Sequence, residues 1–426
     1  MNFDIDFSVP FRHRVRFTTD LANEEFQTLL ELIEPSGDQA KLLVIADSAL
    51  LAVPNQSNPS GDNESSNDSR SWLNTVLDQL DAAPQIKLLD CNGFNPPLSS
   101  GTNENNNDQR TGNNCRALLM SGGEDCKNDT SQIERVLALI NHFDIDRRNY
   151  VLVIGGGAVL DAVGYAAAIA HRGVRLIRLP TTTLAQDDSG VGVKNAINYF
   201  NKKNWVGTFA VPWGVVNDAK ILKSLSDRDF RCGFSEAVKV SLLKSVDDFD
   251  FLCRNATEIY ERQMEVAFEA VKRSCVWHLK HITQGGDPFE ALEARPLDFG
   301  HWSAHKMESL TDYRIRHGEA VGIGVAIDAL YSRRMFGFPE QDANRVLKCL
   351  GDLGLALWDP ILENKSDLLN GLEEFRQHLG GRLTVTMLRR VGEPIDVHEI
   401  DSLEMHAAID DLKKWHIARL NVANVR

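Results

Sequence analysis

The chain has no excess of basic residues, no paired cysteine spacing and no long apolar run, and each absence removes a class of function. Its 46 Lys and Arg stand against 60 Asp and Glu, a formal net charge of −14 over 426 residues. Nucleic acids and anionic membrane surfaces are met by broad basic faces, so neither is expected as a partner. The seven cysteines (Cys91, Cys115, Cys126, Cys232, Cys253, Cys275 and Cys349) are odd in number and scattered, without a CxxC pair. That is the usage of a reducing compartment, and a cytoplasmic protein is expected. Met1 to Phe17 mixes acids among its apolar residues and lacks the apolar stretch of a signal peptide. No segment approaches the uninterrupted apolar length of a membrane span. Triplets of the glycosylation type, as at Asn63, Asn128 and Asn255, are then chance.

What the chain does have is alternation. Val15 to Phe17, Leu42 to Ile45, Lys87 to Leu89, Ala117 to Met120 and Tyr150 to Ile154 read as strands. Glu24 to Ile33 and Ser131 to Phe143 read as helices among them. This order predicts an α/β fold with a doubly wound parallel sheet over residues 1–226. From Asp227 the pattern turns helical, with little strand signal before Leu383 to Val385, so residues 227–426 form a mainly helical domain. Pro54 to Ser71 and Asn92 to Asn114, loaded with Asn, Ser, Gly and Asp, read as surface insertions without a role in the chemistry.

Three histidines fall within the seventeen residues from His301 to His317. His301 and His305, four apart, project from one helix face. His317 opens a further helical pattern, Gly318 to Arg334, that a turn can fold back toward them. Neutral imidazole is a common metal ligand, and such a cluster predicts a metal site. Elsewhere, Gly155-Gly156-Gly157 follows the strong strand and precedes the small-residue helix Ala162 to Ala170. Glycines there allow a pyrophosphate to approach a helix N-terminus, or merely supply the positive φ of a tight turn. The strand Val174 to Leu179 ends in Pro180-Thr181-Thr182-Thr183, and the segment Asp187 to Asn198 reads as a loop whose Lys194 suits an anionic substrate.

These segments together resemble the 3-dehydroquinate synthases and their relatives, the sugar phosphate cyclases. The likeness runs from about Val15 to Val397 and is densest between Ile154 and Ile327, through GGGAVLDAVGYAAA, HRGVRLIRLPTTTLAQDDSGVGVK, KKNWVGTF, GFSEAVK, LDFGHWSAHKME and RHGEAV. It implies an NAD-binding first domain and a metal- and substrate-binding second domain. Glu236, His301 and His317 match the family's zinc ligands, with cobalt a possible substitute, and His305 matches a histidine beside the substrate. Gly155, Gly156, Gly157, Asp161, Asp47, Thr181 and Thr182 match NAD-binding positions, as do Glu124 and Lys127 in the GExxK segment. Asp188, Lys194 and Lys239 match catalytic positions. Lys203, Asn204 and Lys280 match positions that hold substrate or bridge to NAD. Arg172 matches an arginine that reaches a neighbouring subunit, which implies a homodimer. Without the resemblance, Glu236 reads as a surface acid paired with Lys239 at i+3, and the lysines read as solvated charges.

The implied chemistry is oxidation of a secondary alcohol of a keto-sugar phosphate by NAD, loss of phosphate by β-elimination, return of the hydride, ring opening and an intramolecular aldol. Several departures bear on the substrate. Asp298 stands where a dehydroquinate synthase has Asn, and Lys194-Asn195-Ala196-Ile197-Asn198 replaces Lys-Thr-Gly-Ile-Asn. Arg295 is shifted by one residue, and Phe375-Arg376-Gln377 stands where the family has Asp-Lys-Lys. An aspartate repels a substrate carboxylate, so these departures resemble the branch that cyclises sedoheptulose 7-phosphate rather than 3-deoxy-arabino-heptulosonate 7-phosphate. Against that, His305 stands where much of that branch has proline. Two other readings compete: a metal-dependent polyol dehydrogenase, which shares the glycine turn but releases NADH each turnover, and a silent scaffold.

Overall fold

The protein, seen as a computed structural model, is described over residues 2–35, 38–55, 71–94, 115–200, 202–290, 296–378 and 382–423. Its first elements are β1 (Val15–Thr18), α1 (Gln27–Leu30), β2 (Ala40–Asp47), α2 (Trp72–Ala82), β3 (Ile86–Leu88) and β4 (Leu118–Met120). There follow α3 (Asp125–Asn128), α4 (Thr130–His142), β5 (Tyr150–Gly155), α5 (Gly157–Ile169), β6 (Arg175–Pro180), β7 (Lys194–Tyr199), β8 (Lys202–Phe209) and β9 (Gly214–Asp218). The second half holds α6 (Asp227–Cys232), α7 (Phe234–Lys244), α8 (Val246–Tyr260), α9 (Met264–Gln284), α10 (His301–Leu310), α11 (His317–Met335), α12 (Glu340–Asp352) and α13 (Lys365–His378). It ends in β10 (Val385–Arg390), β11 (Glu393–Val397) and α14 (Ser402–Ala423). By contacts the chain forms two compact units, Met1–Thr181 with Gly192–Ser224, and Thr182–Val191 with Leu225–Arg426.

The first unit is built on the expected parallel sheet, in the order β1-β9-β6-β5-β2-β3. The free side of β2 is shared: β3 pairs with its first half from Ala40 to Leu42, and β4 with its end from Ile45 to Asp47. Every residue of β5 is buried, as a central parallel strand requires. α5 begins at Gly157, five residues ahead of the expected Ala162, because the glycine turn is itself the start of the helix. None of Gly155, Gly156 and Gly157 has a positive φ. A Cβ on Gly155 would stand 2.9 Å from Val159 Cβ. Space, rather than turn geometry, is what glycine supplies there.

Two sequence expectations fail. Of the stretch Glu24 to Ile33 only Gln27–Leu30 is helical, the rest being turns that still bury Phe26, Leu32 and Ile33. The segment Asp187 to Asn198 is not a loop: Ala185–Ser189 is one π-helical turn and Lys194–Tyr199 is β7, paired antiparallel with β8. Asp and Gly made that stretch look solvated, but tertiary contacts order it. Of the two Asn-rich insertions only the ends are described, Pro54 bridging Ser71.

The second unit is helical, closed by the antiparallel pair β10–β11. α11 is buried from Gly318 to Ser332 nearly all round, as befits a central helix. It packs on α7, α10, α12 and α14. No described helix is long and apolar enough to cross a membrane, and the seven cysteines form no disulfide.

Candidate functional site

In the helical unit, α7, α10 and α11 each bring one side chain to a common point. Glu236 lies in the first turn of α7 and is fully buried. His301 and His317 are the first residues of α10 and α11. Their Nε2 atoms stand 3.5 and 3.6 Å from Glu236 Oε1. Metal–ligand bonds near 2.0–2.2 Å in a tetrahedron set ligands about 3.3–3.5 Å apart, so these spacings fit one divalent ion with a side left open.

The outer nitrogens are also held. His301 Nδ1 is 3.2 Å from the Phe299 carbonyl, which can only accept, so Nδ1 carries the proton and Nε2 offers its lone pair. His317 Nδ1 is 3.1 Å from Glu308 Oε2, a buried carboxylate two turns along α10. His305, Glu308 and His317 form a second set with atoms within 4.8 Å of one another. There Glu308 already sits at hydrogen-bond distance from His317 Nδ1, on the side of the ring away from Glu236. Burial alone would raise the Glu236 carboxyl, but the Lys239 ammonium and the two imidazoles outweigh it and hold it well below the usual carboxylate range.

Lys239, one turn along α7, is buried with its Nζ 2.5 Å from Glu236 Oε2. The i+3 pair exists, yet it is a core pair and not a surface one. Burial pulls the Lys239 ammonium down, while Glu236, Asp188 and then Asp298 more than offset this and leave it raised. Asp188 contacts His278 Nδ1 at 3.1 Å from the π-helical turn. Beside it Asp187 is fully buried, and among the described residues neither carboxylate oxygen has a hydrogen-bond partner. Burial, and then Asp188 and Glu236, push its carboxyl well up. His305 is exposed, its ring 5.5 and 5.8 Å from those of His301 and His317.

A separate polar cluster occupies the α/β unit. Lys127 on α3 is buried and its Nζ donates to Asp161 Oδ2 on α5 at 2.9 Å and to Asn204 Oδ1. Asn198 on β7 donates to Glu124 Oε1 at 2.9 Å and accepts from the Asn204 amide at 2.9 Å. The amides of Gly157 and Ala158 at the head of α5 lack intrahelical acceptors, as in any first turn. Asp47 ends β2 and caps the next turn through the Ala49 amide at 3.0 Å. The Thr181 amide donates to the Gly155 carbonyl at 3.0 Å. Arg178, fully buried, donates to the Gly192 and Lys194 carbonyls at 2.8 and 3.2 Å and so fixes the base of β7 under the exposed Lys194.

Comparison with known proteins decides the lineage. Residues 117–232 match the family described as 3-dehydroquinate synthase N-terminal, and residues 233–374 match 3-dehydroquinate synthase C-terminal. The chain belongs to the 3-dehydroquinate synthase family. The family's members are sugar phosphate cyclases, phosphate-eliminating carbon–oxygen lyases. A 3-dehydroquinate synthase of Nitrosococcus oceani is 32% identical over 297 residues, 70% of this chain and 82% of that protein. A 2-epi-valiolone synthase of Actinosynnema mirum is 33% identical over 299 residues, 68% of this chain and 76% of that protein. The fold is that of 2-epi-5-epi-valiolone synthase from Streptomyces hygroscopicus subsp. jinggangensis, solved with NAD+ and Zn2+ bound. The TM-score is 0.77 at 21% identity, over 97% of this chain and 99% of that one.

Of the residues that the likeness to 3-dehydroquinate synthases singled out, the helical unit gathers Glu236, His301, His317, His305, Lys239 and Asp188. Asp298 precedes α10 in a short turn, and Lys280 lies exposed on α9 with its Nζ 4.2 Å above the Trp277 ring. Thr182, at the head of the same π-helical segment, accepts from the Ala185 amide at 3.1 Å. The α/β unit gathers Glu124, Lys127, Asp161 and Asn204, with Lys203 half-buried on β8. Arg172 is exposed at a left-handed φ of 63°, between His171 at 51° and Gly173 at 118°, a strained turn that projects it outward. Arg295 lies outside the described residues. Sequence reasoning missed Glu308, His278 and Asp187. Glu308 stands seven residues after His301, a two-turn spacing that marks the same helix face; for the other two the sequence carries no comparable signal.

Proposed function

We propose that the protein is a sugar phosphate cyclase converting a seven-carbon keto-sugar phosphate to a carbocycle with loss of phosphate. One observation carries the reading: a buried, ionised carboxylate and two imidazoles, each with its outer nitrogen engaged, converge at zinc-like spacing. Glu236, His301 and His317 would hold zinc or cobalt, and the glycine turn with Asp47, Glu124, Lys127, Asp161, Thr181, Thr182 and Lys203 would hold NAD. When bound, these groups supply polarisation of a secondary alcohol and reversible hydride acceptance. The chain's own residues do the rest. Glu308 and the Phe299 carbonyl fix the imidazole tautomers. Lys239 supplies a desolvated positive charge beside the carboxylate ligand. Asp188 and His278 form an acid–base pair able to pass a proton. His305, Lys280 and Arg295 would meet the phosphate and hydroxyls, a role that the likeness to the family gives also to Lys194 and Asn204. Arg172 would serve a partner subunit in a homodimer.

Asp298 favours a substrate without a carboxylate. It adds negative charge to the surroundings of Lys239, which already faces Glu236 and Asp188. Sedoheptulose 7-phosphate is therefore preferred over 3-deoxy-arabino-heptulosonate 7-phosphate. The test is phosphate release by zinc-loaded protein with NAD, on the two sugars in parallel. Release from sedoheptulose 7-phosphate alone supports the reading, and release from the carboxylate sugar refutes the role given to Asp298. Silence on both, with NADH accumulating on simple polyols, refutes the cyclase and favours a dehydrogenase.

A further inference from the structure

Cys91, Cys115, Cys126, Cys232 and Cys275 are buried, and burial raises each thiol, to about 12 at Cys91, Cys126 and Cys232. Such thiols keep their protons and are poor nucleophiles. Cys253 and Cys349, in the helical unit, differ from them because they lie together.

The register of α8 against α12 brings the two sulfurs to one place. α8 buries Phe249, Leu252 and Ala256, and α12 buries Val346, Cys349 and Leu350, each a stripe at helical spacing. Near the start of the contact, Arg345 of α12 holds its guanidinium 4.9 Å from the centre of the Phe249 ring and pairs with Asp250. At the far end Gly354, just beyond α12, lies so close to α8 that a Cβ on it would stand 2.7 Å from Tyr260 Cδ2. Between these contacts, one turn on from Phe249 and Arg345, Cys253 meets Cys349 and the two side chains are hydrogen-bonded. Arg345 is hydrogen-bonded to Cys253 as well. Cys349 is buried, whereas Cys253 is half-buried and keeps a side toward solvent. The Cys349 thiol, and then the Arg345 charge, hold the Cys253 thiol below its ordinary value despite burial and Asp250. A partly exposed thiol beside a cation, with a second thiol in reach, is the arrangement of a reversible redox pair.

We propose that Cys253 and Cys349 are a redox-active pair, in which a hydroperoxide oxidises Cys253 and Cys349 closes a disulfide on it. The Cys253 thiolate attacks a peroxide oxygen and the O–O bond breaks. Cys253 becomes a sulfenic acid, and the other oxygen takes up a proton and leaves as water or an alcohol. The Cys349 sulfur then attacks the sulfenic sulfur, gives up its proton and expels the hydroxyl as water. In all, two thiols lose two electrons and two protons, and a small-molecule thiol returns them by exchange. The bond links α8 to α12 and closes a loop carrying α9, α10 and α11, with His301 and His317 on it. It therefore restrains the unfolded form of the histidine-bearing segment. The pair requires nothing of the cyclase reading and fails or holds without it.

The test treats the full-length, zinc-loaded protein, reduced and freed of reductant, with a small excess of hydrogen peroxide. Remaining thiols are alkylated, and the digest is read without reductant by mass spectrometry. Two of the seven thiols should disappear, one cross-linked peptide should join Cys253 to Cys349, and dithiothreitol should return both thiols. C349S should stop at a sulfenic acid on Cys253, trapped by dimedone. R345Q should slow the loss of thiols roughly fivefold, because the cation favours the thiolate. Oxidised wild type should unfold at higher urea than reduced wild type, a difference that C253S abolishes. Seven thiols left intact, or a cross-link between other cysteines, would overturn the pair. Dimedone on another cysteine of C349S would overturn the role of Cys253, and an undiminished rate in R345Q that of Arg345. An unchanged urea midpoint would overturn the restraint.

Discussion

Replacing Gly324 by alanine sets helix propensity against the fit between α10 and α11. In an open helix interior the change stabilises by about 1 kcal/mol. Here the added methyl would overlap the Gly300 carbonyl oxygen and stand 2.9 Å from both the Gly300 carbonyl carbon and Ser303 Oγ. Gly300 cannot yield cheaply: it holds a φ of 79° directly ahead of His301, and its amide donates to Asp328 at 2.8 Å. Relief requires α10 to withdraw by roughly 1 Å, and such overpacking costs about 1–3 kcal/mol, so the net effect is destabilising by up to ~2 kcal/mol. The same withdrawal pulls His301 Nε2 from its 3.5 Å approach to Glu236 Oε1. Metal sites tolerate about 0.2 Å. Zinc affinity of G324A, measured by competition with a chromogenic chelator, should fall at least tenfold. Gly322→Ala is the control on the same helix. Its methyl meets Leu355 Cδ1 at 3.3 Å, the end of a flexible side chain, and nothing else nearer than 3.8 Å. G322A should equal or exceed wild type in urea stability and bind zinc within twofold of it. If G324A binds zinc as tightly as G322A and unfolds with it, the α10–α11 approach does not set the ligand geometry.

Removing the carboxylate behind His317 should loosen the metal in steps. E308Q keeps an acceptor oxygen and should lose about tenfold in zinc affinity, E308A up to ~100-fold by titration calorimetry; equal affinities in all three proteins would show that Glu308 does not orient the ligand. Asp218, at the end of β9 in the α/β unit, offers a pH test. Burial raises its carboxyl to about 6, despite hydrogen bonds from the Leu21 and Ile221 amides and Thr18. The folded state then binds the proton more tightly than the unfolded one, so this contribution is full below about pH 3.8 and is lost as pH rises through 6. The loss amounts to about 3 kcal/mol. Urea unfolding of D218N and wild type at pH 4.5 and 7 should show the variant gaining on wild type as pH rises, and a pH-independent difference would refute the shift.

The fold was legible where burial follows chemistry directly. Tyr150 to Gly155 is apolar throughout and became the buried centre of the parallel sheet. The π-helical turn at Ala185–Ser189 was not legible, because Asp187-Asp188-Ser189-Gly190 carries every mark of a solvated loop. Its order comes from contacts with α9 that are distant in sequence. Helical spacing placed His301 and His305 on one face, and the rings are indeed neighbours, but it could not choose between them. Their surroundings differ in the structure: His301 is buried and tied to the Phe299 carbonyl, whereas His305 is exposed. Glu236 was legible only through family likeness, since its i+3 lysine is the commonest of helix-surface patterns. What that pattern conceals is that both partners lie in the core.

Ten residues, Thr182–Val191, belong with the helical unit although both of their flanks belong with the sheet. Thr183 Oγ1 donates to the Phe230 carbonyl at 2.9 Å and accepts from the Gly233 amide, which ties this excursion to the root of α7. The two units are therefore not modules that a single cut can separate. A fragment from Leu225 onward would lack Asp187 and Asp188 and would bare the buried flank of α9 at Ser274 and His278. Any graft of one relative's catalytic half onto another's sheet must carry this splinter of chain across with it. Recombination between genes, which exchanges contiguous stretches, meets the same obstacle, so the architecture favours change by point substitution within the site over the trading of halves.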